Sequence, residues 1–414
     1  MKCRHCGQPL HLPFLDLGSA PPSNAYLSEA ALRAPEVWFP LRVLVCTHCW
    51  LVQTEDHAGR EALFTHDYAY FSSFSTSWLA HAKAYVQAMQ QRLGLGAGSC
   101  VVEVASNDGY LLQYVQQAGI PCYGIEPTAS TAKAARALGL EVVERFFGVA
   151  LADELARAGR QADLIAANNV LAHVPDINDF VAGFARLLKP HGVATFEFPH
   201  LLQLVQQCQF DTLYHEHFSY LSLTAVQRIF AASGLAVFDV QELPTHGGSL
   251  RVFAARADAA AHPQATPEGA ARVAQLLATE AAAGLLSEGF YSDFQPQALR
   301  IKRELLSFLL QCQAEGLTVG AYGAAAKGNT LLNFAGVRPD LLPYVADKNP
   351  AKQGQHLPGS RIPIVDEAHL RAHRPDRVLI LPWNLRDEVA AQLDYVREWG
   401  GKLVVAIPRL EVLE

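Results

Sequence analysis

The stretch Ser99-Cys100-Val101-Val102-Glu103-Val104-Ala105-Ser106-Asn107-Asp108-Gly109-Tyr110 decides the architecture. An apolar run ends in a small, polar turn containing glycine, and a helical pattern through Leu111 and Leu112 follows. Strand, turn and helix in that order form the first βα unit of a doubly wound sheet, whose ligands bind at the carboxyl ends of the strands. The turn is not G-x-G-x-x-G, which disfavours a pyrophosphate lying on bare backbone. Ser106, Asn107 and Asp108 offer side-chain hydrogen bonds instead, and these suit a zwitterionic amino acid tail.

Outward from this turn the same rhythm repeats. Cys122-Tyr-Gly-Ile-Glu126 reads as a second strand ending in an acid, about 20 residues on, where a carboxylate can accept both hydroxyls of a ribose. Asp163 to His173, with Asn168 and Asn169 near its end, reads as a third strand. A helix through Phe180 to Lys189 and a strand over Gly192 to Phe198 come next, while Ser75 to Leu93 upstream has helical apolar spacing. Alternating strands and helices predict an α/β fold with a mostly parallel sheet.

A second strand, glycine loop and helix appears at Leu317 to Thr330. It is not a Walker A loop, because Lys327 precedes Gly328. Its backbone N–H groups, the helix start and Lys327 can still hold a diphosphate, with Asn329 as a further contact. Apolar runs before Asp347, Trp383 and Pro408 continue a second, smaller doubly wound unit. The alanine-rich segment from about residue 256 to 300 reads as a helical scaffold or linker.

With 414 residues, two or three domains are expected. Half the residues are hydrophobic and 18% are charged, which is globular composition. A formal net charge of -7 and the lack of a long Lys/Arg run argue against nucleic acid as a partner. The N-terminus lacks an apolar secretory region and no run is long enough to span a bilayer, so cytoplasmic localisation and no membrane partner are expected.

Reduced thiols in that compartment turn attention to metal. Cys3-Arg-His-Cys6 and Cys46-Thr-His-Cys49 are two C-x-x-C knuckles separated by residues 7–45. Each places two thiolates at a spacing that suits tetrahedral zinc. His5 and His48 can substitute as ligands, a redox pair is the rival reading, and an all-Cys structural site is the simplest. Cys100, Cys122, Cys208 and Cys312 lie singly in apolar surroundings and read as small core residues.

Leu213-Tyr214-His215-Glu216-His217-Phe218-Ser219-Tyr220 concentrates proton-handling groups. The H-x-H can ligate a metal, but H-E-x-x-H is not formed, because Ser219 stands four residues after His215. A surface turn and an acid/base cluster are the other readings. Ser222 is a candidate N-cap for a helix ending at Gly234, so the stretch reads as an exposed loop before a helix.

Taken together, VVEVASNDGYLL, GIEP, NNVLAHVPD and LKPHG resemble class I S-adenosylmethionine-dependent methyltransferases. With CxxC…CxxC, DYAYFSS, YHEHFSYLS, HGGSLR and GAYGAAAKGNT in order, the whole chain resembles the C-methyltransferases that act on 4-keto deoxyhexoses linked to a nucleoside diphosphate. The resemblance implies a zinc-binding domain (1–65), a class I methyltransferase Rossmann-like domain (66–255) and a second Rossmann-like domain for the nucleotide sugar (256–414). It implies S-adenosylmethionine and structural Zn²⁺ at Cys3, Cys6, Cys46 and Cys49. The donor site is then Glu103, Ala105, Ser106, Asn107, Asp108, Gly109, Glu126, Asn168 and Asn169. His217 becomes the base that removes the C3 proton beside the ketone, supported by Glu216, Tyr214, His173 and Tyr68. Lys327, Asn329, His246 and Arg251 are carried over as substrate contacts, and dTDP is the expected nucleotide. Methylation at C5 or oxygen, and an inactive zinc-ribbon adaptor, are the alternatives; the sequence leaves the oligomeric state open.

Overall fold

The computed structural model describes residues 1–57, 71–259 and 262–413. Tyr68 and the expected boundary at residue 65 lie outside the described residues.

Three sheets organise the chain. Near the N-terminus, β1 (Leu12–Ala20), β2 (Phe39–Val45) and β3 (Val52–Thr54) form an antiparallel meander. One cysteine knuckle precedes β1 and the other forms the turn between β2 and β3. The middle of the chain contributes β4 (Val101–Val104), β5 (Cys122–Ile125), β6 (Val142–Val143), β7 (Ala162–Asn168) and β8 (Leu188–Pro199). After β9 (Ser219–Tyr220) come β10 (Leu235–Leu243) and β11 (Ser249–Arg256). The central sheet runs β10-β11-β8-β7-β4-β5-β6, parallel from β8 to β6, with an antiparallel edge hairpin. The strand β9 leaves this sheet and pairs with β3, Val52 facing Tyr220 and Gln53 facing Ser219.

The C-terminal sheet is built from β12 (Val319–Tyr322), β13 (Val345–Ala346), β14 (Ile364–Val365), β15 (Arg377–Ile380), β16 (Lys402–Val405) and β17 (Glu411–Val412). Its order is β14-β13-β12-β15-β16-β17, parallel except at β17. Both predicted strand–turn–helix units thus sit where the sequence put them.

Local signals explain the helices. In the helix Thr76–Leu93, the Ser75 side chain accepts the Trp78 N–H and Gly94 ends the last turn at φ 63°. Ala82, Tyr85, Val86 and Met89 recur on its buried face. The alanine-rich segment does more than link. The helix Pro267–Ala282 buries Glu280, which accepts the N–H groups of Leu223 (2.7 Å) and Thr224 (2.8 Å) and meets His200 Nε2 at 2.7 Å. A carboxylate therefore caps the helix Leu223–Ala232 from another element, beside the Ser222 cap expected from sequence.

One apolar core joins the N-terminal meander to the C-terminal sheet: Phe14 stacks on Phe294 at 4.4 Å and Trp50 on Tyr291 at 5.9 Å. Among the described residues no helix is long and apolar enough to cross a membrane.

Candidate active site

A cavity of about 390 Å³ opens at the carboxyl ends of β4, β5, β7 and β8. Its opposite wall is Ala325, Ala326 and Lys327 after β12 and Pro382, Asn384 and Leu385 after β15, and Asn24 reaches in from the N-terminal segment.

On the central-sheet side, Ala105, Asn107, Glu126, Asn168 and Asn169 line the cavity. Four lining residues without the freedom of glycine hold positive φ: Ala105 (59°), Asn107 (50°), Asn169 (54°) and His246 (56°). Such backbone costs about 1–3 kcal/mol per residue and persists where surrounding structure imposes it, characteristically at functional sites. Gly109 stands at φ 82°, and a Cβ there would lie 2.4 Å from Leu140. Glu126 accepts the Asn107 N–H and the Thr128 N–H, both at 2.9 Å.

The remaining expected donor residues lie behind this surface. The Asn107 carboxamide accepts the Ser72 N–H (2.9 Å) and the Asp108 carboxylate accepts the Ser73 N–H (3.1 Å), so these side chains pin the segment entering the helix Thr76–Leu93. Ser106 and Glu103 are fully buried, and burial raises the Glu103 carboxyl well above its usual range, next to Tyr110.

The predicted acid/base residues converge. His217, Tyr214, Glu216 and His173 all line the cavity. The His217 ring lies 4.6 Å from His173 and 4.0 Å from Tyr214 between centroids. His217 Nδ1 is 2.8 Å from the Thr212 carbonyl oxygen, and His173 Nδ1 is 2.8 Å from the Glu216 carbonyl oxygen. A carbonyl only accepts, so each Nδ1 carries the proton and each Nε2 keeps its lone pair. Burial pushes His217 well below the usual imidazole range and His173 down to about 4. Both rings are neutral at pH 7. Glu216 is raised to about 7 by burial, and Asn24 Nδ2 donates to it at 2.6 Å. His215 points the other way, its Nε2 3.2 Å from the Pro40 carbonyl oxygen.

The expectation of an exposed YHEH loop is corrected: His215, Glu216 and Phe218 are buried. The loop is wedged between the central sheet and β3, a pairing that local sequence does not encode.

Two substrate candidates fall elsewhere. Asn329 is buried and absent from the cavity wall, because two residues along a helix turn it roughly 200° from Lys327. Arg251 also faces away: its Nε donates to Glu197 at 2.7 Å, its Nη2 contacts the same carboxylate, and its guanidinium lies 4.7 Å from the Tyr85 ring. Glu197→Ala, which strands Arg251 in the core, is expected to destabilise the fold by about 3–5 kcal/mol. Urea unfolding checks this, and an unchanged midpoint would mean that the ion pair is dispensable.

His246 and Lys327 do line the cavity. His246 packs on Trp78 at 5.2 Å and its Nε2 meets the Asn169 amide at 3.1 Å. Burial lowers Lys327 to about 8, with Asp211 opposing the shift; its Nζ donates to Asn384 at 2.6 Å and sits 4.8 Å over Trp383. Asn24, Trp78, Thr212, Lys352 and Asn384 also line the wall, and nothing in the sequence marks them as site residues. Trp78 stands in the first turn of the helix Thr76–Leu93, and the others come from short turns and loops.

Away from the cavity, the Sγ atoms of Cys3, Cys6, Cys46 and Cys49 lie within 4.8 Å of one another, with Cys3–Cys49 and Cys6–Cys46 at 3.5 Å. A tetrahedron of thiolates about 2.3 Å from zinc has edges of about 3.8 Å, so the four sulfurs fit a closed S₄ site. His5 and His48 are not needed; His5 Nδ1 is 2.8 Å from Asn178 Oδ1.

Residues 3–64 match the family model "Putative zinc binding domain", residues 78–240 "Methyltransferase domain" and residues 244–408 "C-methyltransferase C-terminal domain". The chain is 35% identical over 412 residues to the C-methyltransferase NovU of Streptomyces niveus, covering 100% of this chain and 96% of that one. It is 32% identical over 110 residues to a ubiquinone biosynthesis O-methyltransferase of Bordetella avium, covering 26% and 46%. The magnesium protoporphyrin IX methyltransferase structure from Synechocystis PCC 6803 aligns at 15% identity, 44% and 78% coverage and a TM-score of 0.33.

Proposed function

The chain belongs to the C-methyltransferase family that includes NovU, and from that premise we propose that it methylates C3 of a nucleotide-linked 4-keto-deoxyhexose with S-adenosylmethionine as donor. The observation that carries this reading is the neutral, half-buried His173–His217 pair facing a cavity whose other walls are a strand-end donor surface and a lysine.

The 4-keto group acidifies the neighbouring C3–H. The Nδ1–H bond to Thr212 leaves the Nε2 lone pair of the neutral ring available, and His217 Nε2 uses it to take that proton, giving an imidazolium. The charge developing on the keto oxygen requires hydrogen-bond donors, a role for the Tyr214 hydroxyl and, in its protonated form, the Glu216 carboxyl at the same wall. S-adenosylmethionine supplies the electrophilic methyl group when bound. In this reading Glu126 binds its ribose and the Ala105–Asn107 turn its amino acid end, and their position on the cavity wall supports this. Lys327 and the backbone N–H group at Ala326 receive the diphosphate, and dTDP is the expected nucleotide.

The test is mass spectrometry of a dTDP-4-keto-deoxyhexose incubated with the protein in deuterated water. Deuterium entering C3 without donor, and a methyl group on that carbon with donor, are the expected results. Methyl on oxygen with no carbon exchange would sink the enolate reading, and methyl at C5 would move the site of proton removal.

A further inference from the structure

We propose that Arg4, the second residue of the first cysteine knuckle, is a positioning residue for the His173–His217 pair. Its side chain is only 4% exposed, yet it does not line the cavity. Nη1 donates to the Pro175 carbonyl at 3.3 Å, and Pro175 lies two residues after His173. Nη2 donates to the Thr54 carbonyl and to Asp56 Oδ1, both at 2.9 Å. The guanidinium sits 5.3 Å from the Phe218 ring, next in sequence to His217. One planar cation therefore touches both histidine-bearing loops and the strand β3 that pairs with β9.

The surrounding bonds run the same way. Thr54 donates its hydroxyl to the His217 carbonyl at 3.1 Å and its N–H to the Phe218 carbonyl at 3.2 Å. The Phe218 N–H donates to the Ala172 carbonyl at 2.8 Å, tying the two loops together. On the knuckle side, the Arg4 N–H donates to Gln53 Oε1 at 2.9 Å and Gln53 Nε2 donates to Cys3 Sγ at 3.3 Å. The neighbouring His5 carbonyl accepts from Asn178 at 2.8 Å, at the helix that follows His173. The sulfur site thus sets the height of a shelf on which both imidazoles rest. A guanidinium suits this use, because its rigid fork satisfies several carbonyls at once where an ammonium is a point charge. None of these contacts reaches Ala105, Asn107 or Glu126, so the donor surface is independent of the clamp.

The inference rests on the reading of His217 as base, and the test separates the two. Zinc-loaded, full-length wild type, Arg4→Ala, Arg4→Lys and Thr54→Val are compared. Nitrogen NMR of ¹⁵N-histidine protein reports ring tautomers without substrate; donor calorimetry, zinc content and C3-exchange kinetics accompany it. Wild type should show Nδ1–H tautomers for His173 and His217. Arg4→Ala should mix these tautomers and lower kcat for exchange about 10–100-fold, the scale of small misplacements, with KM within about threefold and donor affinity unchanged. Arg4→Lys should recover only part of kcat, and Thr54→Val should shift the His217 signal alone. Unchanged tautomers and kcat in a folded Arg4→Ala protein overturn the proposal, as does a parallel loss of donor affinity, which marks a merely structural role. If Arg4→Ala does not fold, an unmoved His217 signal in Thr54→Val overturns it. Tautomers that respond in a protein without exchange activity support the clamp and reject the base assignment.

Discussion

His217→Asn is expected to lower both C3–H exchange and methyl transfer by about 10²–10⁴-fold, the usual worth of a positioned general base. Asparagine keeps an amide that can donate to the Thr212 carbonyl, so the loop retains its anchor while the basic nitrogen is lost. Donor affinity, set at Ala105, Asn107 and Glu126, should stay at the wild-type value. The pH profile gives an independent check. The base acts when unprotonated, and burial holds its folded pKa below the ordinary 6.5. Loss of activity caused by protonating His217 therefore begins below pH 6.5, not above it. Glu216, at about 7, titrates in the same cavity, so the profile is measured in Glu216→Gln as well. An acid limb above pH 6.5 that persists in that variant would contradict a neutral imidazole as base.

The second large effect concerns metal. Stripping zinc, or replacing Cys46 by Ser, removes the closed site that the four sulfurs fit. Structural zinc contributes about 10–16 kcal/mol in small zinc-finger peptides at neutral pH. The N-terminal meander has its own share of core through Phe14 and Phe294, so the knuckles should loosen first. Stoichiometric loss of zinc, protease cleavage within residues 1–54 and loss of C3 exchange are expected together. Donor binding, on the far side of the cavity, should survive. Calorimetry and peptide mapping of the stripped protein check this; resistance to protease after complete zinc loss would show that the sulfurs are not a staple.

Much of this molecule is local in origin and hence legible. Ser99 to Tyr110 carries its strand, its turn and its helix within a dozen residues, and the second unit at Leu317 does the same. The cysteine pairs carry their chemistry in their spacing. What escaped are contacts between segments far apart in sequence. Nothing near Asn24 says that its amide meets Glu216. Nothing near Trp383 says that its indole donates to Asp211 at 2.8 Å. Arg251 reads as a free cation until β8 brings Glu197 beside it. The exposure of YHEH was misjudged for the same reason: loop residues look solvated until a distant strand covers them.

Gly247 illustrates how tight these meetings are. It stands at φ 85°, and a Cβ there would lie 2.6 Å from Trp383. Only a residue without a side chain lets the His246 turn approach the C-terminal wall of the cavity.

The pairing of β9 with β3 has a consequence for synthesis. On the ribosome, Thr54 emerges long before Ser219, and at about 5–20 residues per second the interval is roughly 10–30 s. Throughout that time β3 presents unpaired backbone groups, a template for association with other nascent chains. Early metal capture by the two knuckles would shorten the period in which that edge is also floppy. The first 57 residues are consequently not a transplantable module. A fragment ending after β3 would lack its fourth strand, and a graft onto another enzyme would have to bring Ser219 and Tyr220 with it.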